Sequence, residues 1–232
     1  MGAGVSIRDN VREVRMRIED AAGRALRDSG DVLLVAVTKT VEVPLIVEAI
    51  EAGVTAIGEN RVQEAARKFG SGLPPVERHL VGHLQTNKVK AALELFDTIE
   101  SVDSVRLGRA ISQRCEAADR RIDVLVEVNT SGETSKYGLE PDAVPDAVGE
   151  MASFPGIRVV GLMTVAGFLP DPEGVRPCFR VLRGVRDSIE ERVIPGVAMD
   201  HLSMGMTNDY EVAIEEGATI VRVGRAIFGE RS

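Results

Sequence analysis

Short apolar runs alternate along the chain with segments whose apolar residues recur every three or four positions. The first segment, about 5–28, carries Val11, Val14 and Ile18 at helical spacing, and the run 32–37 that follows is continuously apolar. A continuous apolar run is typical of a strand buried on both faces, as in a parallel sheet. The pattern predicts an N-terminal helix followed by a buried strand.

The same order of strand and helix recurs to the end of the chain. Pro44 and Gly53 bracket one predicted helix, and Asn208 and Glu211 have the capping-box spacing that predicts the start of a late one. The predicted strands are 32–37, 55–57, 78–81, 97–100, 122–128, 157–163, 197–202 and 219–223. The helices between them are predicted at about 44–53, 61–69, 87–95, 105–118 and 142–153, then one ending near 193, one from about 208 and a short closing helix.

Eight strand–helix units with short connections favour an α/β fold consisting of a single (β/α)8 barrel of the TIM type, with an extra N-terminal helix. The alternative is an open, doubly wound sheet, which the count of eight makes less attractive. No linker or low-complexity stretch divides the sequence, so residues 1–232 are predicted to be one domain. In such a barrel the functional residues lie at the carboxyl ends of the strands.

Composition narrows the classes of function and location. The net charge of −8 and pI of about 5.1 argue against a nucleic-acid-binding surface. No apolar run reaches the roughly 20 residues of a membrane span, and the N-terminus lacks the apolar core of a signal peptide. Cys115 and Cys178 have no CxxC spacing, which indicates free thiols in a reducing cytoplasm. His79 and His83 fall on a strand and its following loop, so we expect no metal site.

Lys39 is the first unusual residue at a predicted strand end. It follows the apolar run 32–37, where burial would lower the pKa of its ammonium and make a neutral, nucleophilic amine. The alternative is that the Lys39 side chain buries its aliphatic stem and keeps its charged amine in water or in an ion pair. The second strand ends at Gly58, Glu59 and Asn60, which could face the barrel mouth or form an ordinary turn and helix cap.

The last two strand ends together indicate an anion site. Ser203 and Met204 lie in a stretch of small and hydroxyl residues, 200–208, before a helix start, where backbone N–H groups can bind a phosphate. Arg222 alternates with apolar residues in strand eight, which is predicted to be buried. If its side chain points inward, its charge needs an anion or a hydrogen-bond acceptor as a partner. Gly224 and Arg225 then open a short helix, and barrels often bind phosphate at the loops after strands seven and eight.

An amine, an arginine and a phosphate site together match pyridoxal 5′-phosphate (PLP), which has an aldehyde, a ring nitrogen and a phosphate. The prediction is that Lys39 holds PLP as a Schiff base. Because arginine keeps its own proton, Arg222 beside the ring nitrogen would leave that nitrogen unprotonated and weaken the cofactor as an electron sink.

At these residues the chain resembles the PLP homeostasis proteins, the YggS/PROSC family. The matching stretches are AVTKT at 36–40, GENRVQE at 58–64, HLVGHLQTNK at 79–88, VNTSGETSKYG at 128–138, GLMT at 161–164, LSMGMT at 202–207 and VRVG at 221–224. The resemblance implies a barrel like the N-terminal domain of alanine racemase. It also implies a PLP carrier or buffer without an established reaction.

The resemblance implies roles for single residues as well. Lys39 would form the Schiff base, Asn60 would lie near the cofactor, and Arg222 would contact the ring. Phosphate contacts would come from Ser203 and from the backbone at Gly224 and Arg225.

Four residues add questions to this assignment. Arg61, Arg78 and Arg225 depart from the family pattern, and the last removes a hydroxyl that could contact phosphate. Lys136 lies in a polar loop; the simplest interpretation is a solvated charge, and a role in cofactor transfer is a hypothesis.

Three functions fit the sequence to different degrees. A PLP carrier with no catalytic residues uses every feature. A PLP-dependent amino-acid racemase needs acid–base groups on both faces of the substrate, and Tyr137 and Tyr210 are the only tyrosines. The chain ends about ten residues past strand eight, which suggests that no second domain supplies such a group. A Schiff-base aldolase without cofactor leaves Arg222 unused. We expect a monomer that binds PLP and serves PLP-dependent apo-enzymes, with no nucleic-acid or membrane partner.

Overall fold

The strands form one closed parallel barrel, in which neighbours in sequence pair and the last strand pairs with the first. The computed structural model describes residues 6–133, 136–167 and 169–229. The strands are β1 (Leu33–Val37), β2 (Ala56–Glu59), β3 (Glu77–Leu80), β4 (Thr98–Val102), β5 (Ile122–Glu127), β6 (Ile157–Met163), β7 (His201–Met206) and β8 (Ile220–Val223). The predicted barrel is confirmed, and the open sheet is wrong.

Helices surround the barrel. They are α1 (Ile7–Arg24), α2 (Val43–Glu51), α3 (Val62–Phe69), α4 (Val89–Leu93), α5 (Val105–Glu116), α6 (Val144–Met151), α7 (Arg176–Glu191), α8 (Tyr210–Glu215) and α9 (Arg225–Phe228). Short 3-10 turns lie at Ser29–Asp31, Thr86–Lys88, Pro141–Ala143 and Pro172–Val175. The predicted extra N-terminal helix is confirmed as α1; Val5, where its prediction began, lies outside the described residues.

Helix α1 illustrates how local sequence sets an element. The Ser6 hydroxyl accepts a hydrogen bond from the Asp9 N–H at 3.1 Å, which satisfies one of the unpaired donors at the helix start. The stripe Val11, Val14 and Ile18 is buried, as the spacing predicts, and α1 packs against α8 and α9. The N-terminal helix therefore packs over α8 and α9, the helices that follow the last two strands.

Two apolar clusters hold the barrel. The larger one fills the space between strands and helices, and the smaller one contains inward-facing residues of the strands. The smaller cluster comprises Val35, Ala56, Leu125, Val160, Met163 and Ile220, with Leu33 packed against it. Other inward positions carry buried polar side chains, and these residues position the candidate site.

Strand β7 is the main correction to the predicted elements. It covers His201–Met206 and not 197–202. The apolar run 197–199 instead precedes the strand, with Ala198 N–H donating to Val159 O at 3.0 Å. Ser203 and Gly205, whose types are common in loops, lie inside the strand, so the loop that follows begins four residues later than predicted.

The predicted capping box at Asn208 and Glu211 is wrong. Helix α8 begins at Tyr210 after Asp209, and no side chain caps it. The Asp209 carboxylate accepts from Met206 N–H at 2.6 Å, and the Asn208 side-chain oxygen accepts from Arg225 at 3.2 Å. Both polar side chains therefore stabilise the loop after β7 and not the helix.

Candidate cofactor site

A cavity of about 390 Å³ opens at the carboxyl ends of the strands. It is lined by Val37, Lys39, Asn60, Val81, Val165, Met206, Thr207, Asn208, Asp209, Arg222, Gly224 and Arg225. The lining brings together five of the seven predicted cofactor residues, namely Lys39, Asn60, Arg222, Gly224 and Arg225. This volume lies within the range of small-molecule sites in proteins.

Lys39 reaches this cavity because side chains alternate along β1. Val35 and Val37 face the barrel interior, and Lys39, two residues further, shares their side at the mouth. Of the two environments that the sequence left open for Lys39, the buried ammonium is wrong, because the residue is exposed. It stands beyond the last residue of the strand, where the barrel opens into the cavity.

Arg222 is buried at the base of the cavity, with 4% of its surface exposed. Its Nη1 donates to Ser203 Oγ at 2.5 Å and its Nη2 donates to Thr164 O at 2.7 Å. Ser203 in turn donates to Glu100 Oε2 at 2.5 Å, and Arg222 Nη1 lies 3.8 Å from the same oxygen. The partner that a buried arginine requires is therefore Glu100, reached mainly through the Ser203 hydroxyl.

His79 extends this polar chain away from the cavity. Its Nδ1 lies 2.6 Å from Glu100 Oε1, and its Nε2 lies 3.0 Å from Glu77 Oε1 in an ion pair with poor hydrogen-bond geometry. Burial acts to lower the pKa of His79, but the two carboxylates outweigh it and raise the pKa to about 9. The barrel interior thus carries alternating charges from Arg222 through Glu100 and His79 to Glu77.

The raised pKa of His79 predicts a pH dependence of folding stability. The pKa of His79 is higher in the folded state than in the unfolded state. Its protonation therefore stabilises the fold fully at a pH below the unfolded pKa of 6.5, and this contribution is lost as the pH rises to about 9. The free energy of unfolding should fall across this window by on the order of 3 kcal/mol, since each pKa unit corresponds to about 1.4 kcal/mol. Urea unfolding from pH 6 to 10 measures this. An equal slope in His79→Gln would contradict it.

Of the three residues predicted to contact phosphate, Gly224 and Arg225 line the cavity and Ser203 does not. Thr207, Asn208, Gly224 and Arg225 line the cavity where the β7 and β8 ends meet. Helix α9 starts at Arg225, so its first N–H groups have no acceptor within the helix. The Arg225 side chain is exposed and is held by Asn208.

Ser203 and Met204 do not line the cavity. Ser203 is buried with its hydroxyl between Arg222 and Glu100, and Met204 packs in the larger apolar cluster. The predicted β7 ended too early, which placed the first hydroxyl of the loop at Ser203, whereas the hydroxyl residue that lines the cavity is Thr207. The sequence signal was present: Thr207 is the next hydroxyl residue along the same stretch.

Close backbone packing places Asn60 at the cavity wall. A Cβ on Gly82 would lie 2.4 Å from Asn60 O, and one on Gly58 would lie 2.9 Å from Val35 Cγ1. Both glycines therefore permit contacts that a side chain would prevent. Asn60 also borders a second cleft, which contains Arg61. Arg78 lies elsewhere, with its guanidinium 4.8 Å from the centre of the Phe69 ring.

The tyrosines and Lys136 lie away from the cavity lining. Tyr137 stacks on His83 with ring centroids 3.8 Å apart, and Tyr210 is buried in the core. Lys136 forms an ion pair with Glu133 at 2.5 Å. Within the described ranges, no tyrosine borders the cavity that contains Lys39 and Arg222.

The described part of the chain lacks two kinds of feature. No group of three or more His, Cys, Asp or Glu side chains there could hold a metal ion. In the same residues, no helix combines the length and apolar character that a membrane crossing requires. Cys115 and Cys178 carry free thiols.

Comparison with known proteins shows the family to which the chain is related. Residues 6–232 match the family model described as alanine racemase, N-terminal domain. The chain is 42% identical over 224 residues to a pyridoxal phosphate homeostasis protein of Aquifex aeolicus, covering 96% of this chain and 97% of that one.

The chain belongs to the family of pyridoxal phosphate homeostasis proteins, built on the alanine racemase N-terminal domain. The resemblance stated from the motifs is thereby confirmed. Two solved structures extend it. PipY of Synechococcus elongatus with PLP bound has a TM-score of 0.80 at 31% identity, covering 92% of this chain and 100% of that one. The crystal structure of an unknown protein from Bifidobacterium adolescentis has a TM-score of 0.88 at 43% identity, covering 96% of this chain and 94% of that one.

Proposed function

We propose that this chain binds PLP in the cavity and acts as a carrier and buffer in intracellular PLP homeostasis. The observation that carries the proposal is that Lys39 and Arg222 line one cavity together with Thr207, Gly224 and Arg225. Family membership and the PLP-bound structure of PipY support it. Bound PLP would supply an aldehyde that a lysine amine can hold reversibly.

The residues of the cavity fit the three parts of the cofactor. Lys39 would hold the aldehyde carbon as a Schiff base, and Arg222 would face the ring nitrogen. The Thr207 hydroxyl and the backbone N–H groups at Gly224 and Arg225 would bind the phosphate, with Asn60 at the wall. Of the other two residues predicted to bind PLP, Ser203 would act through its contact with Arg222, and Met204 through core packing.

The placement of the tyrosines favours a carrier over a racemase. Racemisation requires a second acid–base group opposite the lysine. Tyr137 is stacked on His83, and Tyr210 lies in the core. Turnover with a panel of D- and L-amino acids tests this choice. Racemisation at rates typical of enzymes, about 1–10³ per second, would favour the racemase instead.

Further parts of the proposal concern the cellular setting. We propose a cytoplasmic monomer, a single domain over residues 1–232, that delivers PLP to PLP-dependent apo-enzymes. Free thiols in Cys115 and Cys178 support a reducing compartment. Sedimentation of the PLP-loaded protein tests whether it is a monomer. Delivery is tested by whether the loaded protein activates an apo-enzyme faster than the same concentration of free PLP does.

Thr207 offers a specific test of the phosphate assignment. Thr207→Val removes the hydroxyl and keeps the shape of the side chain. We expect PLP affinity to fall by about 10- to 150-fold, because a hydrogen bond to a charged group contributes about 1.5–3 kcal/mol. Pyridoxal, which has no phosphate, should bind wild type and variant equally, as measured by absorbance titration. An equal loss for both ligands would remove Thr207 from the phosphate site.

Colour tests the proposal as a whole. The purified protein, or the protein after addition of PLP, should be yellow, and borohydride should bleach it while fixing the cofactor covalently. A protein that stays colourless after added PLP is removed by dialysis would contradict the proposal.

A further inference from the structure

A buried polar cluster outside the cavity lining holds the backbone on one side of Lys39. It consists of Thr38, Glu59, Glu64 and Lys68, and it joins β1, β2 and α3. The Lys68 ammonium lies 2.6 Å from Thr38 O, 2.7 Å from Glu59 Oε1 and 2.7 Å from Glu64 Oε1. An ammonium has three N–H donors, so these contacts use all of them. Lys68 is therefore a structural cation in this cluster.

The same cluster holds the backbone on the other side of Lys39. The Thr40 N–H donates to Glu64 Oε1 at 2.5 Å, and the Thr38 hydroxyl donates to Glu59 Oε1 at 2.7 Å. The residues immediately before and after Lys39 thus share one set of side-chain partners. Movement of α3 relative to β1 would displace both.

The backbone at Thr40 is strained. Its φ is +61°, in the left-handed region that a β-branched residue rarely adopts. Such a conformation persists only where the surroundings enforce it, and it concentrates at functional sites. The Glu64 hydrogen bond to the Thr40 N–H and a bond from Val41 N–H to Thr38 O at 2.9 Å enforce it here.

Three members of the cluster are buried, and Glu64 is partly exposed beside the second cleft. Glu59 is fully buried and Lys68 is 9% exposed. Burial acts to raise the pKa of Glu64, but the hydrogen bonds from Lys68 and Thr40 N–H outweigh it and lower the pKa. Low-dielectric surroundings strengthen these interactions, so the cluster fixes geometry more firmly than surface ion pairs do.

We propose that Lys68 is a positioning residue for Lys39. Its ammonium, together with Glu59 and Glu64, fixes the Thr38–Thr40 backbone so that the Lys39 amine is held at the cavity mouth before PLP arrives. The inference rests on the proposed function, in which Lys39 carries the cofactor. Pre-organisation of this kind raises affinity because less freedom is lost on binding.

The test compares Lys68→Met, which keeps the side-chain length and removes the N–H donors, with Lys90→Met, an exposed lysine of α4 outside the cluster. PLP affinity and the rate of PLP release into an excess of a competing carbonyl reagent are measured on protein shown to be folded by circular dichroism. We expect roughly 10-fold weaker binding and faster release in Lys68→Met, as small misplacements of a reacting group cost this much or more. Lys90→Met should match wild type.

A purely structural role for Lys68 gives a different result. It would lower the urea midpoint and leave the affinity of the folded protein and the absorbance spectrum of bound PLP unchanged. Lys68→Arg, which keeps a cation with several donors, should restore much of the affinity under the proposal.

Thr40→Gly decides the matter if Lys68→Met does not fold. Glycine adopts the observed φ without strain, so the fold should persist while the backbone after Lys39 becomes freer. Weaker PLP binding supports the proposal. If Lys68→Met folds, a PLP affinity and a PLP release rate within twofold of wild type would overturn the proposal. If it does not fold, the same result in Thr40→Gly would overturn it. Wild type that takes up no PLP would instead overturn the proposed function.

Discussion

Replacement of Lys39 by alanine should leave a folded protein that no longer turns yellow with PLP and yields no adduct after borohydride reduction. The residue is exposed at the cavity mouth, so its removal leaves no cavity in the core. The proposed covalent link would be lost, and only contacts to the ring and phosphate would hold the cofactor. We expect affinity to fall by about 100-fold or more, equivalent to about 2.8 kcal/mol.

Absorbance titration measures the loss of the yellow colour, and equilibrium dialysis measures the loss of PLP affinity. Lys90→Ala is the matched control, because Lys90 is exposed on α4 and lies outside the cavity lining. It should bind PLP as wild type does. A Lys39→Ala protein that keeps the colour and the reducible adduct would show that another lysine holds the aldehyde.

Replacement of Arg222 by methionine should have the largest effect on stability. Arg222 is buried and lies 3.8 Å from Glu100, whose second oxygen faces His79. Removal of one partner of a buried charge network typically costs about 3–5 kcal/mol, because the remaining charge stays buried and loses its compensation. The free energy of unfolding, measured in urea at pH 7, should fall by that amount.

Two further variants locate the cause of this loss. Arg106→Met, at an exposed arginine of α5, should change stability by less than about 0.5 kcal/mol. Adding Glu100→Gln to Arg222→Met should recover part of the stability, because the unpaired carboxylate is then removed. Strictly additive effects of the two substitutions would contradict the pairing through Ser203.

The barrel and the position of Lys39 were accessible from sequence because local signals agreed with the global fold. The continuous apolar run before Lys39 predicts a buried parallel strand, and alternation then places Lys39 at the mouth. Arg222 was accessible for the same reason, since a charge within an apolar strand demands a partner. The identity of that partner was not, because Glu100 lies more than a hundred residues away and meets Ser203 only when the barrel closes.

Other parts of the site depended on features that local patterns do not encode. Ser203 and Gly205 are residue types common in loops, yet tertiary pairing places both in β7. The sequence therefore placed the phosphate hydroxyl at Ser203, whereas Thr207 is the hydroxyl residue that lines the cavity. The exposure of Lys39 follows from the shape of the barrel mouth. Lys68 contacts Thr38 directly and is linked to Thr40 only through Glu64. This arrangement depends on how α3 packs, and helical spacing alone gives no sign of it.

Peptide mapping by mass spectrometry after borohydride reduction of the PLP-loaded protein tests the central claim most directly. The account predicts a single phosphopyridoxyl group on the peptide that contains Lys39, and its absence from the same digest of Lys39→Ala. A label on Lys136, Lys88 or another lysine with Lys39 unmodified, or no label at all, would contradict it.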